Sequence, residues 1–287
     1  MTLSHREVLE RSNKLRRRER SRRYYWWLAL AILILASLVF MIETPWLQIK
    51  TVTVVGNKVV TDSEIMLVVE SLSVGRYFYV IPKNHIVWYP IAKIKQQLST
   101  TLPRLQRVEI YRRNFNEVEI KIVERSPLAL WCVGVGHDRC FFIDQTGLVY
   151  APAPWFSRAL FFEIIGTTSP VTLPAEPVPA FYLLKLVQFA AAGPSLLATT
   201  SSDVIRFESA ELWPAGDAVF TVRNYNLGPI LTWQLRIDLD QDLEVTGRNL
   251  SSVWHSNTFQ QEFKTKHILL DYLDVRFGNK VFYKFND

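Results

Sequence analysis

Cys132 and Cys140 are the two cysteines of this 287-residue chain, and they flank His137 in the stretch LALWCVGVGHDRCFFID. Thiols with this spacing have three chemical uses. Apolar residues lie on both sides of Gly134 and Gly136, so the segment can fold as a hairpin that sets position 132 opposite position 140. A disulfide there would close a short loop and contribute roughly 2 to 4 kcal/mol. The alternatives are two buried thiols, or a metal site formed by Cys132, His137 and Cys140. Three ligands on one loop with no second half is a thin zinc signature.

Other chemistry is harder to assemble. The chain has no H-E-x-x-H, no G-x-S-x-G, no Walker loop and no G-x-G-x-x-G after a strand, and Gly134-Val135-Gly136 serves a hairpin better than a phosphate. His5, His85, His137, His255 and His267 show no metal-like spacing. Asp238, Asp240 and Asp242 lack the glycine and distal glutamate of a calcium loop and read as a solvated turn. A wall hydrolase would need two carboxyl groups flanking a cleft, one of them raised in pKa, and a ligand sensor would need a sizeable apolar pocket. Neither is visible in one dimension. The sequence therefore points to no catalytic residue, no cofactor, no metal and no small-molecule substrate.

The strongest signal is the uncharged run from Tyr24 to Ile42, YYWWLALAILILASLVFMI. As a helix it would be about 28 Å long, close to the hydrocarbon thickness of a bilayer. It continues through Phe40, Met41 and Ile42 into Glu43 without a small-residue cleavage site, so it reads as a retained anchor rather than a signal peptide. Tyr24, Tyr25, Trp26 and Trp27 at one end and Trp46 past the other suit the two interfaces. Residues 1–23 carry nine basic side chains against three acidic ones, which equals the net charge of +6 of the whole chain. The positive-inside rule sets this tail in the cytoplasm, where it meets anionic headgroups rather than nucleic acid, and leaves residues 43–287 outside.

The external part divides by pattern. Leu47, Ile49, Val52, Val54 and Val55 predict a strand, turned by Gly56 and Asn57, both suited to positive φ. Thr61-Asp62-Ser63-Glu64 is a capping box opening a helix that buries Ile65, Val68, Val69 and Leu72. After RYFYVIPKN, a loop or a short extended segment, a second helix presents Ile91, Ile94, Leu98 and Leu102, with Pro90 in its first turn. Alternation then predicts a hairpin of Val108 and Ile110 with Val118, Ile120 and Ile122, turned at Asn114-Phe115-Asn116. Residues 47–125 thus read strand, helix, helix, strand, strand. Trp88, Tyr89 and the loop from Arg76 to Val80 are expected to pack on this sheet or to meet a partner.

Residues 126–287 predict a second, mainly antiparallel β domain. Its strands include LFFEII, DVIRFES, AVFTVRN, LTWQLRID, DLEVTG, LLDYLDVRF and KVFYKF, with one helix over Phe181–Ala192 whose apolar face includes Leu184 and Val187. The last strand closes no sheet, so its free edge can take up a partner strand. Tyr272, Arg276, Phe282 and Tyr283 there are of the types that dominate binding energy, although alternation lets only one face meet a partner. Asp274 and Arg276 have a second possible use, holding the hairpin together.

Three stretches resemble the bacterial cell-division FtsQ/DivIB family. IKTVTVVGNKVVTDSEI after a basic tail and anchor resembles the opening of that family's POTRA domain. LPRLQRVEIYRRNFNEVEIKIVERSPLALW resembles its later strands and its Glu-Arg-x-Pro exit at Glu124 to Pro127. FIDQTGLVY and YLDVRFGNKVFYK resemble the closing part, with Tyr272 matching the aromatic before Asp-x-Arg. The resemblance implies an α+β architecture of cytoplasmic tail (1–23), transmembrane helix (24–42), POTRA domain (47–125) and C-terminal β domain (126–287). It also implies a non-enzymatic scaffold at the division septum, binding FtsB/DivIC-type and FtsL-type proteins and, through them, septal synthase components.

Overall fold

A computed structural model describes the chain except residues 1–21, 38, 41–42, 80, 134–138, 157–159, 167–172, 201, 214–215, 226–231, 267–269 and 287. Residues 1–21 of the expected cytoplasmic tail, the loop at Gly134 and Gly136, and His5, His137 and His267 lie outside the described residues. The chain divides into two units, Met1–Glu124 and Arg125–Asp287.

In the first unit, residues 22–37 and 39–40 are helical, with their large apolar side chains exposed. A 3-10 turn at Pro45–Leu47 leads into β1 (Thr51–Val55). Gly56 takes φ +92° where an added Cβ would meet the Ile122 carbonyl oxygen at 2.3 Å, so glycine is required. Asn57 does not share the positive φ expected of it. Its side-chain amide instead donates to the Val60 carbonyl (2.9 Å) and to Asp62 (2.7 Å), bracing the turn.

Thr61 and Glu64 form the capping box of α1 (Asp62–Ser73). A tight pair, β2 (Arg76–Tyr77) and β3 (Ile81–Pro82), takes the short extended form of the two expected there, with Phe78 and Tyr79 both at positive φ in its turn. Pro90 is the N-cap of α2 (Ile91–Thr101) rather than a residue of its first turn. β4 (Leu105–Asn114) and β5 (Glu117–Glu124) form an antiparallel hairpin, and β1 pairs parallel with β5, giving the order β1-β5-β4. Alternation along β5 buries Val118, Ile120 and Ile122 against Ile65, Val69, Ile94 and Leu98 of the helices. Tyr89 is buried in this core, whereas Trp88 is half exposed and lies tilted against His85, ring centres 4.9 Å apart.

The second unit holds β6 (Ala129–Val133), β7 (Arg139–Ile143), β8 (Val149–Pro152), β9 (Glu163–Ile165), β10 (Ile205–Leu212), β11 (Asp217–Asn224), β12 (Thr232–Asp238), β13 (Leu270–Phe277) and β14 (Lys280–Phe285). They form one nine-stranded sheet in the order β14-β13-β12-β11-β10-β9-β6-β7-β8. The joins β6 to β9, β9 to β10 and β12 to β13 are parallel and the other five are antiparallel, so the sheet is mixed with antiparallel pairing in the majority, as the sequence predicts. Each parallel join needs a crossover, and helices supply two of them. Cys132 pairs with Cys140 across β6 and β7 and is bonded to it. Their carbonyls point away from each other, to the amides of Gly166 and Ala153. The two residues therefore form the non-hydrogen-bonded kind of antiparallel pair, whose side chains approach closely.

Three helices cover one face of this sheet: α3 (Ala180–Leu197), α4 (Leu243–Trp254) and α5 (Asn257–Lys266). They correct the sequence reading at three points. First, α3 runs five residues past Ala192, and it buries Leu183, Leu186 and Phe189 while Leu184 is exposed. Second, DLEVTG is not a strand: Asp242 caps α4 by accepting from the amides of Glu244 and Val245, and Thr246, Gly247, Leu250 and Trp254 make its buried stripe. Third, LFFEII contributes only the three residues of β9.

Among the described residues α3 is the one helix long and apolar enough to cross a membrane by length and composition. Its buried stripe in the core, Pro194 inside it, and the Lys185 ammonium bonded to the Leu239 carbonyl oxygen make it the core helix of this unit.

Two predictions follow from these local constraints. At Gly193 an added Cβ would fall 2.2 Å from the Phe207 ring. Gly193→Ala should therefore cost about 2 kcal/mol or more and lower the melting temperature.

At the end of β5, Glu124 accepts from the amides of Lys58, Val59 and Val60 at 2.7 to 3.1 Å. Burial pushes its pKa up, but those amide donors outweigh burial and hold it below the usual range. Its contribution, about 1 kcal/mol after screening, is present above the unfolded pKa and is lost as pH falls through the depressed folded value. Denaturant titration from pH 7 to pH 3 should show that acid-dependent loss shrink in Glu124→Gln.

Candidate functional site

β14 is the end strand of the nine-stranded sheet, and its outer side pairs with no described strand. Its placement depends on β13, which joins the rest of the sheet through a parallel register of only three pairs: Gln234 with Tyr272, Leu235 with Leu273, and Arg236 with Asp274. Three sets of side chains reinforce that short seam.

On the face away from the helices, Arg276 binds Asp274 through Nε (2.9 Å) and Nη2 (2.7 Å), and Asp217 of β11 through Nη1 (2.5 Å). One planar guanidinium thereby ties β13 to β11 across β12, as only an arginine fork can. Hydrogen bonding to Asp274 pushes its pKa up, burial opposes this, and Asp217 adds to the rise, so it stays charged. Nearby, the Arg236 guanidinium lies 4.2 Å from the Tyr272 ring centre and also faces Trp213.

On the helix-covered face, Tyr283 packs edge-on to Phe259 of α5 (5.0 Å) and against Phe285 (5.8 Å). At the turn, the side chain of Asn249 donates to the Gly278 carbonyl (2.7 Å) and that of Gln241 to the Arg276 carbonyl (2.5 Å). Both bonds link the hairpin to the α4 region.

The four residues named from sequence therefore separate. Tyr283 is committed to the helix face and Arg276 to its two carboxylates. Tyr272 is half-buried under Arg236, and Phe282 is half exposed, with Phe277 edge-on to it at 5.4 Å. Phe282 opposes Asp274 and Lys284 opposes Tyr272, so Tyr272, Phe282 and Lys284 share one face next to the free edge. Sequence reasoning missed Arg236, Asp217 and Phe277. Phe277 was within reach, because it follows Arg276 directly in the Asp-x-Arg-Phe run. The other two become neighbours of the site only through register.

Six carboxyl groups, Glu64, Glu109, Glu119, Glu124, Asp144 and Asp203, titrate below the usual carboxylate range. A glycosidase-type general acid needs the opposite shift. Asp242 caps α4, Asp238 accepts from the Asp240 amide, and Asp240 accepts from the Tyr182 hydroxyl, so that trio is engaged as turn and cap. No cluster of metal-ligating side chains occurs among the described residues. His85 is buried, which lowers its pKa and keeps it neutral, and its Nδ1 accepts from the Val87 amide.

Concavities among the described residues include a cleft of about 700 Å³ in the first unit, bounded by Trp46, Leu47, Lys50 and Phe115, and in the second a groove of about 370 Å³ between α3 and α4 and a hollow of about 270 Å³ bounded by Phe161, Val187 and Arg206. All open to solvent.

Arg276→Ala leaves Asp274, only 4% exposed, without its counter-charge. The variant should lose about 3 kcal/mol in denaturant unfolding, and Arg276→Lys should recover only part of this, since an ammonium cannot hold both carboxylates in the same plane.

No family model matches the chain. A curated relative, cell division protein DivIB of Lentilactobacillus buchneri, is 32% identical over 117 residues, a stretch covering 39% of this chain and 41% of that protein. The likeness spans less than half of either chain.

Proposed function

We propose that the chain is a non-enzymatic, single-pass scaffold of the bacterial division machinery. The run 24–42 is its membrane anchor, the tail 1–23 is cytoplasmic, and the remainder stands outside the membrane at the septum. Residues 47–125 act as a POTRA domain, and residues 126–287 as the domain that receives a partner of the FtsB/DivIC type together with FtsL, and so regulates septal peptidoglycan synthesis. The observation that carries this reading is the free outer edge of β14, rigidly held and bordered by exposed Phe282. Such an edge offers a row of amides and carbonyls that a partner strand satisfies, while neighbouring side chains select the sequence. The likeness to a DivIB protein and the downward-shifted carboxylates favour binding over hydrolysis.

Calorimetry of the full-length protein in detergent against the external segment of the FtsB/DivIC-type protein of the same organism tests this. Binding should be micromolar or tighter, and Phe282→Ala should weaken it about tenfold, or about 1.4 kcal/mol, with an unchanged melting transition. Tyr272→Ala should weaken it similarly and also lower the melting temperature through loss of the Arg236 contact. A folded protein that does not bind, or whose binding neither substitution alters, would overturn the assignment.

A further inference from the structure

The parallel pairing of β1 with β5 sorts the loops of the first unit into two ends. β1 begins at Thr51, opposite Glu117, so the β4–β5 turn at Phe115 and Asn116 lies at the end where the chain arrives from residue 43. The amides of Lys50 and Thr51 both donate to the Asn116 carbonyl, at 2.9 and 3.2 Å. The β2–β3 turn is tied to the same end. Arg76 pairs with Glu43 at 2.9 Å, Gln48 bridges to His85, and the Ile49 amide donates to the Asn84 carbonyl. The opposite end, at Gly56 and Thr61, stands about 17 Å further along β1.

Exposed aromatic side chains crowd the first end. Trp46 is 82% exposed, Phe78 89%, Tyr79 94% and Phe115 76%, on three separate loops. Among the described residues of this unit beyond residue 43, the other half-exposed large aromatics are Trp88, which lies against the His85 ring, and Tyr111, whose hydroxyl is bonded to Glu109. No core needs these four rings, and each costs free energy in water. Lys50, Lys83 and Arg112 stand among the same loops.

We propose that this end of the first unit sits on the outer leaflet, with Trp46, Phe115, Phe78 and Tyr79 at headgroup depth and the basic side chains facing anionic lipid. This rests on the reading of residues 24–42 as the membrane span. Trp46 is four residues past Ile42, at most about 14 Å of chain, so the span's exit holds this end at the interface. Aromatic rings are the side chains favoured at that depth, and each nearby cation adds attraction to anionic headgroups. The unit is thereby seated on the membrane, with its far end pointing outward.

The test uses full-length protein in nanodiscs of phosphatidylethanolamine and phosphatidylglycerol, carrying a nitrobenzoxadiazole label on one added cysteine under non-reducing conditions. Asn116→Cys reports on the proposed surface with Phe115 in place, Ser99→Cys on the far end of α2, and Leu33→Cys on the span. Headgroup-level spin-labelled lipid should quench the 116 label about fivefold more than the 99 label. That excess should vanish when Trp46→Asp and Phe115→Asp are added together, both at exposed positions. A 116 label no more quenched than the 99 label, with Leu33→Cys quenched by deep spin labels, overturns this inference and leaves the span intact. Quenching at 116 that survives the two aspartates also overturns it. An unquenched Leu33 label overturns the span and this inference with it.

Discussion

The Arg276 guanidinium is the interaction on which the end of the sheet depends. β13 has three residue pairs with β12, and a parallel seam that short does not hold a terminal hairpin by backbone bonding alone. Arg276 reaches from β13 over β12 to Asp217, while Asp274 takes its other two nitrogens. The opposite face is held by ring packing of Tyr283 and Phe285 on Phe259. Polar staple on one side and aromatic cluster on the other leave β14 fixed in place, with its outer edge paired to no described strand. A fixed edge is what strand addition requires, because a partner then meets no ordering cost on this side of the interface.

The first unit is governed by a different constraint, the direction of β1. Parallel pairing with β5 makes the chain enter the sheet where the β4–β5 hairpin turns, and Glu124 locks the other end by gathering three amides of the Gly56 to Thr61 turn. The unit therefore has a chemically distinct entry end and far end. Aromatic loops and cations mark the first, a capping box and a carboxylate clamp the second. A domain attached to a span needs such polarity in order to stand in one orientation.

The sequence made the first unit legible because its signals are local. The Thr61 to Glu64 box, the alternation of Val118, Ile120 and Ile122, and Gly56 each determine structure within a few residues. The second unit was read less well because its signals compete. DLEVTG carries β-branched Val245 and Thr246, and only the Asp242 cap and the distant Leu250 and Trp254 disclose a helix. The α3 stripe was misplaced because nearly every position of AFYLLKLVQFAAA is apolar, so periodicity does not select a face. The face is chosen instead by Gly193 fitting under Phe207. At the candidate site the residue types were visible, but not their partition. Nothing near Arg276 in sequence announces Asp217, 59 residues away, and nothing in KVFYKF says which alternate residues turn toward α5.

Hydrogen exchange on the β14 amides, in full-length protein with and without the external segment of the FtsB/DivIC-type partner, addresses the central claim most directly. Strand addition predicts new protection in Lys280–Phe285, confined to the amides facing outward and absent from β8 at the other end of the sheet. Protection centred on another element, or β14 amides that exchange at the free rate in the bound state, would contradict the account.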